Sequence, residues 1–262
     1  MHTEMNPTNG LALQWLENTR AVMDRIEKTQ INNLRRAAEA MADSIAAERW
    51  VHTFGCGHAT IPVEEMYPRI GGFVGFHPMI ELPLTFFTRI VGEMGVHQFL
   101  FLERAEGFGI EIMKGYDFDP RDCMWIFSHS GINNVNIDVA LEAKNRGMKV
   151  IAYGSAGAAK GKQTRHSCGK TIFDIADIVV DSCAPAEDAS VRLVNHQDKV
   201  GPVSTIAFVT CVWMTVCTVA EILAERGVKL YIHPSHNVPG DTTAHKRLEA
   251  ALAEYKRRIA GV

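Results

Sequence analysis

Two short segments of this 262-residue chain have the composition of anion-binding loops. The first is Gly55-Cys56-Gly57-His58-Ala59-Thr60. Its glycines place no Cβ between the backbone N–H groups and a ligand, and His58, Thr60 and Cys56 add polar side chains. The second is Ser128-His129-Ser130-Gly131, continuing through Ile132-Asn133-Asn134. Two hydroxyls, a glycine and two amides stand there ahead of an apolar-periodic stretch. That is the start of a helix, where unpaired N–H groups and the positive dipole end attract anions. Facing one another, the two loops would hold a single phosphate. Other readings of the same residues stay open. Gly55-x-Gly57 is two-thirds of a dinucleotide fingerprint, with Thr60 where the third glycine would stand. Phe127-Ser128-His129-Ser130-Gly131 lacks the first glycine of a nucleophile elbow. Ser128 and Ser130 also suit plain helix capping.

The surrounding pattern predicts the scaffold. Trp50–Phe54 reads as a strand running into the first loop. A helix follows from Pro62 to near Gly71-Gly72, with proline at its start and glycine at its end. Met124–Phe127 is the strand before the second loop. Its helix ends at Gly147, with Lys144 and Arg146 in the last turn. Lys149–Tyr153 and Ile178–Asp181 are further strands, separated by a helix near 169–176. Strands alternating with helices imply right-handed βαβ units and a parallel sheet. Ligands of such sheets bind beyond the carboxyl ends of the strands, where both loops fall. Residues 1–49 are expected to form a helical arm of two helices, marked by Leu11, Trp15, Val22 and Ile26, then by Ile31, Leu34, Ala38, Met41 and Ile45. Residues 50–232 form the α/β core, and 233–262 a tail ending in a helix with Leu248, Leu252, Tyr255 and Ile259. One structural domain accommodates all three.

Composition sets limits. Lys and Arg number 27 against 30 Asp and Glu, a formal charge of −3, so no basic surplus exists for a nucleic-acid partner. An apolar fraction of 47% is incompatible with a disordered chain. The polar start, MHTEMNPTNG, has no apolar stretch of a signal peptide. The six cysteines, at 56, 123, 168, 183, 211 and 217, contain no C-x-x-C pair. Both features suggest a reducing cytoplasm. Val200–Ala220 carries no charge and is long enough to cross a bilayer. Its Ser204, Thr205, Thr210, Thr215 and Thr218 favour a core or interface helix, and no membrane association is expected.

In combination these segments resemble the SIS (sugar isomerase) domain. The resemblance rests on G-C-G-H-A-T, the Glu64-Glu65 pair, F-S-H-S-G-I-N-N and V-A-L-E-A-K-N-R-G-M-K-V-I-A. More narrowly, the chain is similar to the bacterial "sugar isomerase domain-containing" group, phosphoheptose isomerase-like. Leu102-Glu103-Arg104 with Glu106-Gly107, Arg165-His166-Ser167 with Gly169-Lys170, Lys199 through Thr205, and the tail from Asn237 to Ile259 fit it too. The resemblance implies a three-layer α/β/α sandwich with a flavodoxin-like parallel sheet. It also implies a phosphorylated-sugar ligand, no cofactor, and a homodimer or dimer of dimers. By the same resemblance Ser128, Ser130 and Gly131 hold the phosphate, with Asn133 where a Thr often helps. Ala59 fills a place usually taken by Ser, so Thr60 or His58 would substitute. Gln197 stands where the hexosamine-phosphate branch has its base, four residues before Gly201-Pro202.

Aldose–ketose isomerisation needs a base to move a proton between adjacent carbons, a donor for the carbonyl, and often an acid to open the ring. Glu65 is the first candidate for the base, followed by Glu64 and Glu103, with Glu106 a further carboxylate. His58 and His129 lie within the loops and suit ring opening or phosphate contact. Gly55, Cys56, Gly57, Asn134 and Lys199 complete the expected binding set. Cys56 reads as a reactive thiol or a small packed residue, and Lys199 as a phosphate partner or a surface charge. His233, His236 and His245 invite a metal reading, but Pro234 breaks any helical register among them, and no metal is expected. The resemblance also implies a tail that reaches a neighbouring subunit's site, which makes Asn237, Asp241 and His245 second-tier candidates.

Overall fold

A computed structural model describes residues 10–66, 69–85 and 95–260. The chain begins with helix α1 (Leu11–Ala46) and strand β1 (Val51–Gly55), then a 3-10 turn at Gly57–Thr60 and α2 (Ile61–Met66). β2 (Phe76–Met79), α3 (Leu82–Thr85), α4 (Gly95–Leu102), α5 (Phe108–Met113), β3 (Cys123–Phe127), α6 (Asn134–Asn145) and β4 (Lys149–Gly154) follow. α7 (Ala156–Ala159), α8 (Ile172–Ile175) and β5 (Ile178–Asp181) complete the main sheet. β6 (Ala189–Arg192), β7 (Lys199–Pro202), α9 (Ser204–Glu225) and α10 (Ala244–Ile259) end the chain.

Five strands pair in parallel in the order β2-β1-β3-β4-β5. Side chains alternate between two faces, and both faces are covered. Val51, Trp125, Phe127, Ile151, Tyr153 and Val180 pack under α1 and α9. Phe54, Met124, Ile126, Val150 and Ala152 pack under the layer containing α5, α6 and α8. Burial on two sides is why these strands read as continuous apolar runs rather than as alternating ones. The result is the three-layer α/β/α sandwich with a parallel sheet expected from the sequence.

The N-terminal expectation of two helices is corrected: α1 is one helix of 36 residues. The polar Thr29-Gln30-Ile31-Asn32-Asn33 stretch suggests a break because it interrupts the apolar stripe. In the fold Gln30 is buried and its amide oxygen accepts the Asp181 N–H at 3.0 Å, joining the helix to β5. Thr29 donates back to the Arg25 carbonyl, and Ile31, expected in the core, is 48% exposed. The helix expected from Pro62 to Gly71-Gly72 is α2, which ends at Met66; residues 67–68 of that expectation lie outside the described residues. Of the uncharged run, Val200–Pro202 belong to β7 and the rest, from Ser204, forms α9, the one described helix long and apolar enough to span a membrane, with about half of it buried in the fold. Its hydroxyls are used internally. Tyr153 donates to Thr215 at 2.6 Å, and Thr215 donates to the Cys211 carbonyl at 2.7 Å.

At the amino end of the sheet lies a buried polar chain. His52 Nε2 lies 3.3 Å from the Asp122 carboxylate, and His52 Nδ1 is 2.9 Å from Nδ1 of His77. Two Nδ1 atoms this close share one proton, so at least one ring is neutral. Burial lowers the pKa of both imidazoles, that of His77 to about 4. Burial pushes the Asp122 carboxyl up, but hydrogen bonds from His52, Arg49 and the N–H groups of Trp50 and Asp119 outweigh it and hold it at about 2. The unfolded chain therefore takes up imidazole protons near pH 6.5, whereas in the folded chain His52 takes one up only below its ordinary range and His77 only near 4. Stability is present above 6.5 and lost as pH falls through this window, by about 3 kcal/mol for the His77 shift alone. Denaturant unfolding between pH 7 and pH 4 should show that loss, and His77→Phe should make the dependence shallower. A wild-type slope unchanged by this substitution would exclude His77 as its source.

Candidate functional site

β1 is followed by α2, whose Val63 and Met66 join the α1/α9 layer, whereas β3 is followed by α6 on the opposite face. Adjacent strands whose connections leave in opposite directions open a crevice at their carboxyl ends, the switch point of a 2-1-3-4-5 sheet. Gly55 pairs with Phe127 in register, so both loops start at the same level beside that crevice.

The second loop is braced from several sides. Ser128 N–H donates to the Tyr153 carbonyl at 2.9 Å, and the His129 and Gly131 carbonyls accept from Ser155 and Ile172. Gly131 adopts φ +71°, and a Cβ there would lie 2.3 Å from the Phe173 ring. Its N–H donates to Ser128 Oγ at 3.1 Å, which leaves the buried Ser128 hydroxyl with its own proton to donate. Ser130 is partly exposed, and among the described residues neither its hydroxyl nor the N–H groups of Ser130, Ile132 and Asn133 have an acceptor. This is the cradle of free donors that an anion requires at a helix start. His129 places Nε2 3.3 Å from the Ala186 carbonyl.

α4 joins the two loops. Its Phe99 ring packs against Gly57, and Glu103, one residue past its end, accepts from Asn133 Nδ2 at 2.7 Å. The Glu103 carbonyl accepts from Val135 N–H, and the Arg104 carbonyl from Asn134 Nδ2. Glu103 is only 6% exposed. Burial raises its carboxyl pKa, while Arg104, Arg165 and the Asn133 hydrogen bond pull it back. A buried carboxylate beside a donor cradle, with its proton affinity raised, has the chemistry of a general base.

The remaining expected residues fall in several places. In the first loop Cys56 Sγ approaches Asn136 Oδ1 at 3.6 Å, linking that loop to α6. Burial, with Glu103 nearby, pushes the Cys56 thiol far up, so the reactive-thiol alternative is corrected: the sulfur is a packed thiol. Thr60 is buried, and its hydroxyl meets the Gly57 carbonyl at 2.8 Å as a local cap. His58 is exposed at the same turn. Glu65 lies on the α9 side of the sheet, accepting from Trp213 Nε1 at 3.1 Å and pairing with Arg69 at 3.2 Å. Glu64 is exposed beside it. Lys199 pairs with Glu187 at 3.0 Å on the β6–β7 hairpin. In the tail Asp241 is bound by Arg247 and by Thr243, Asn237 and His245 are exposed, and His233 is buried where its backbone pairs with Gly71 and Gly72. Among the described residues no three His, Cys, Asp or Glu side chains converge as a metal site would require.

Two residues of the site were not singled out from the sequence. Arg165 donates Nη1 to Asn133 Oδ1 at 3.1 Å, and its N–H reaches the Ile132 carbonyl at 3.3 Å. Asp138, 2% exposed on α6, accepts from the Gly107 and Gly109 N–H groups and from His166 Nε2 at 3.0 Å. The available signals were the Arg165-His166-Ser167 segment and an aspartate one helical turn beyond Asn134.

An open α/β sheet with a donor cradle at its switch point defines a class of small-anion binders, and sequence comparison narrows the class. A model of the SIS domain matches residues 14–155, which include both loops, and the chain belongs to that family. It is 30% identical over 253 residues to a UPF0309 protein of Thermoanaerobacter pseudethanolicus, covering 95% of this chain and 99% of that one. A UPF0309 protein of Shouchella clausii is 31% identical over 226 residues, 86% of this chain and 89% of that one. Among solved structures the fold is similar to a phosphoheptose isomerase from Francisella tularensis, with a TM-score of 0.52 and 15% identity over 83% of this chain and 100% of that one. The phosphoheptose isomerase from Neisseria gonorrhoeae also gives 0.52, with 14% identity over 81% and 99%.

The close approach of β4 to the second loop gives a direct test of the cradle. A Cβ on Gly154 would stand 2.0 Å from the Ser128 carbonyl oxygen, a backbone atom with no rotamer to escape into. Gly154→Ala should destabilise the fold by about 1–3 kcal/mol, measured by denaturant unfolding. The largest backbone amide shifts should fall in residues 128–133.

Proposed function

We propose that this protein is an aldose–ketose isomerase of a sugar phosphate, with Glu103 as the proton-transferring base. The observation carrying this reading is the buried Glu103 carboxylate, 2.7 Å from Asn133 at the edge of the donor cradle. The phosphate would sit on Ser130, Gly131 and the start of α6, with the Ser128 hydroxyl donating from beneath. The sugar carbons would then extend toward Glu103. The carboxylate removes the proton from the carbon beside the carbonyl and returns it to the carbonyl carbon, while a proton moves between the two oxygens. Glu65, the first candidate from sequence, is held toward α9 by Trp213 and Arg69. Glu103 therefore takes the role first given to Glu65. His58, exposed on the first loop, and His129, at the mouth of the second, are the groups available to assist ring opening.

The partner we propose is a second copy of the chain, either as a homodimer or as a dimer of dimers. The outer face of α9 supports this: Ile206, Val209, Thr210, Trp213 and Met214 are only partly covered and line a shallow apolar depression of about 460 Å³. Single-sided apolar faces of this kind are commonly subunit contacts. The cysteines and the fold of the family fit a cytoplasmic setting, without nucleic acid or membrane.

Incubating the protein with a panel of aldose and ketose phosphates in deuterium oxide tests the activity. Exchange at the carbon next to the carbonyl, with no loss of a substituent, is the expected result. Glu103→Gln should lower the exchange rate by about 10²–10⁴-fold while phosphosugar binding persists. Elimination of a substituent would instead identify a lyase on a phosphorylated amino sugar. Binding without exchange would identify a sugar-phosphate sensor.

A further inference from the structure

We propose that Arg165 is the cation that binds the phosphate of the substrate, delivered to the cradle by a strap of residues 164–169. The inference rests on the phosphosugar reading of the site above and adds the group that confers selectivity for a phosphomonoester.

The argument begins with charge. A phosphomonoester carries close to two negative charges at neutral pH, whereas a helix start supplies about half a positive charge. The cradle of Ser130, Gly131 and α6 therefore neutralises only part of its ligand. Among the described residues, Arg165 is the one Lys or Arg side chain hydrogen-bonded to the segment from Ser128 to Asn134. It uses one N–H for this, to Asn133 Oδ1 at 3.1 Å, and the residue is exposed. The rest of its donor fork is unengaged among the described residues and suited to two phosphate oxygens at once.

The strap is built to place this side chain. Immediately after Arg165, His166 Nε2 donates to Asp138 Oδ1 at 3.0 Å, its tautomer set by Nδ1 accepting from the Cys168 N–H at 3.0 Å. Asp138 is itself oriented by two backbone N–H groups, those of Gly107 at 2.7 Å and Gly109 at 3.1 Å. Ser167 binds Glu106 through both its N–H, at 2.9 Å, and its hydroxyl. Arg165 N–H meets the Ile132 carbonyl of the loop at 3.3 Å. The strap backbone is thus anchored on α6 and on the α4–α5 connection, while the guanidinium at its edge is exposed and bonded to Asn133 alone among the described residues.

Asn133 then links the two halves of the site. Its Nδ2 donates to Glu103 and its Oδ1 accepts from Arg165. One amide holds the carboxylate on one side and the cation on the other, which separates the sugar end of the site from the phosphate end. An unphosphorylated sugar would leave the Arg165 fork without its anion.

Calorimetric titration with inorganic phosphate tests the proposal on wild type, Arg165→Met, Arg165→Lys and Ser130→Ala. The expected result is about tenfold weaker phosphate binding in Arg165→Met, in line with the loss of a charge-assisted hydrogen bond. Arg165→Lys should recover part of the affinity, because it keeps the charge but not the fork, and this recovery would not follow from a purely structural role. Arg165 is exposed, its N–H bond to Ile132 survives the substitutions, and the side chains that anchor the strap belong to other residues, so melting temperatures should match wild type. If Arg165→Met binds phosphate within twofold of wild type while Ser130→Ala weakens it, the assignment of Arg165 is overturned and the cradle stands. If wild type binds neither phosphate nor any sugar phosphate, or if no variant alters binding, the site reading fails along with the proposal.

Discussion

The pairing of β1 directly beside β3 is the constraint on which the rest of this molecule depends. Gly55 and Phe127 are register partners, yet the chain leaves them toward opposite faces of the sheet, into α2 on one side and α6 on the other. No helix can cover the ground between two diverging connections, so a crevice forms there. Glycine-rich and hydroxyl-rich loops at that position are close by topology rather than by sequence. α4 then closes the gap, with Phe99 against Gly57 and Glu103 against Asn133. Position in the crevice also separates two neighbouring classes of carboxylate. Glu65 follows β1 and turns to α9, whereas Glu103 arrives on the α6 side.

Charge is buried at both ends of the sheet, and the two burials have different consequences. At the amino end Asp122 is satisfied by Arg49, His52 and two backbone N–H groups, so its carboxylate is strongly stabilised and tied to the fold. At the carboxyl end Asp138 is satisfied in the same way by Gly107, Gly109 and His166, and it holds a strap in place. Glu103 differs from both. It has one strong donor in Asn133, and burial leaves its proton affinity raised. A carboxylate fully supplied with donors is a structural anchor, whereas an under-supplied one remains available to exchange protons.

α9 serves the fold in two ways. Its inner face, with Phe208, Cys211, Val212 and Val219, seals one side of the sheet against α1. Its outer face is nearly as apolar but only partly covered. An uncharged stretch is therefore compatible with a helix half inside the domain, because Thr215 and Thr218 satisfy their hydroxyls on carbonyls one turn back.

Much of this fold could be read directly from the chain. Strands buried on both faces, such as Met124–Phe127 and Ile178–Asp181, appear as short apolar runs, and loops that need free N–H groups appear as glycine and serine. These signals are local, because side-chain type decides burial and backbone freedom within a few residues. Elements without that local signal were missed. β2 contains Pro78 and survives only as an edge strand beside β1. The β6–β7 hairpin is short and held by Asp188 capping the start of α9. The apparent break in α1 was closed by Gln30 bonding to β5, 151 residues away. The same division runs through the site. Sequence alone marked Ser128–Asn134 as an anion loop and listed Glu65, Glu64, Glu103 and Glu106 as carboxylates. Only tertiary structure decided that Glu103 stands against Asn133, that Arg165 bonds to the same Asn133, and that Asp138 holds His166. Those contacts join residues about thirty positions apart, and the helix and sheet packing that brings them together leaves no trace in local spacing.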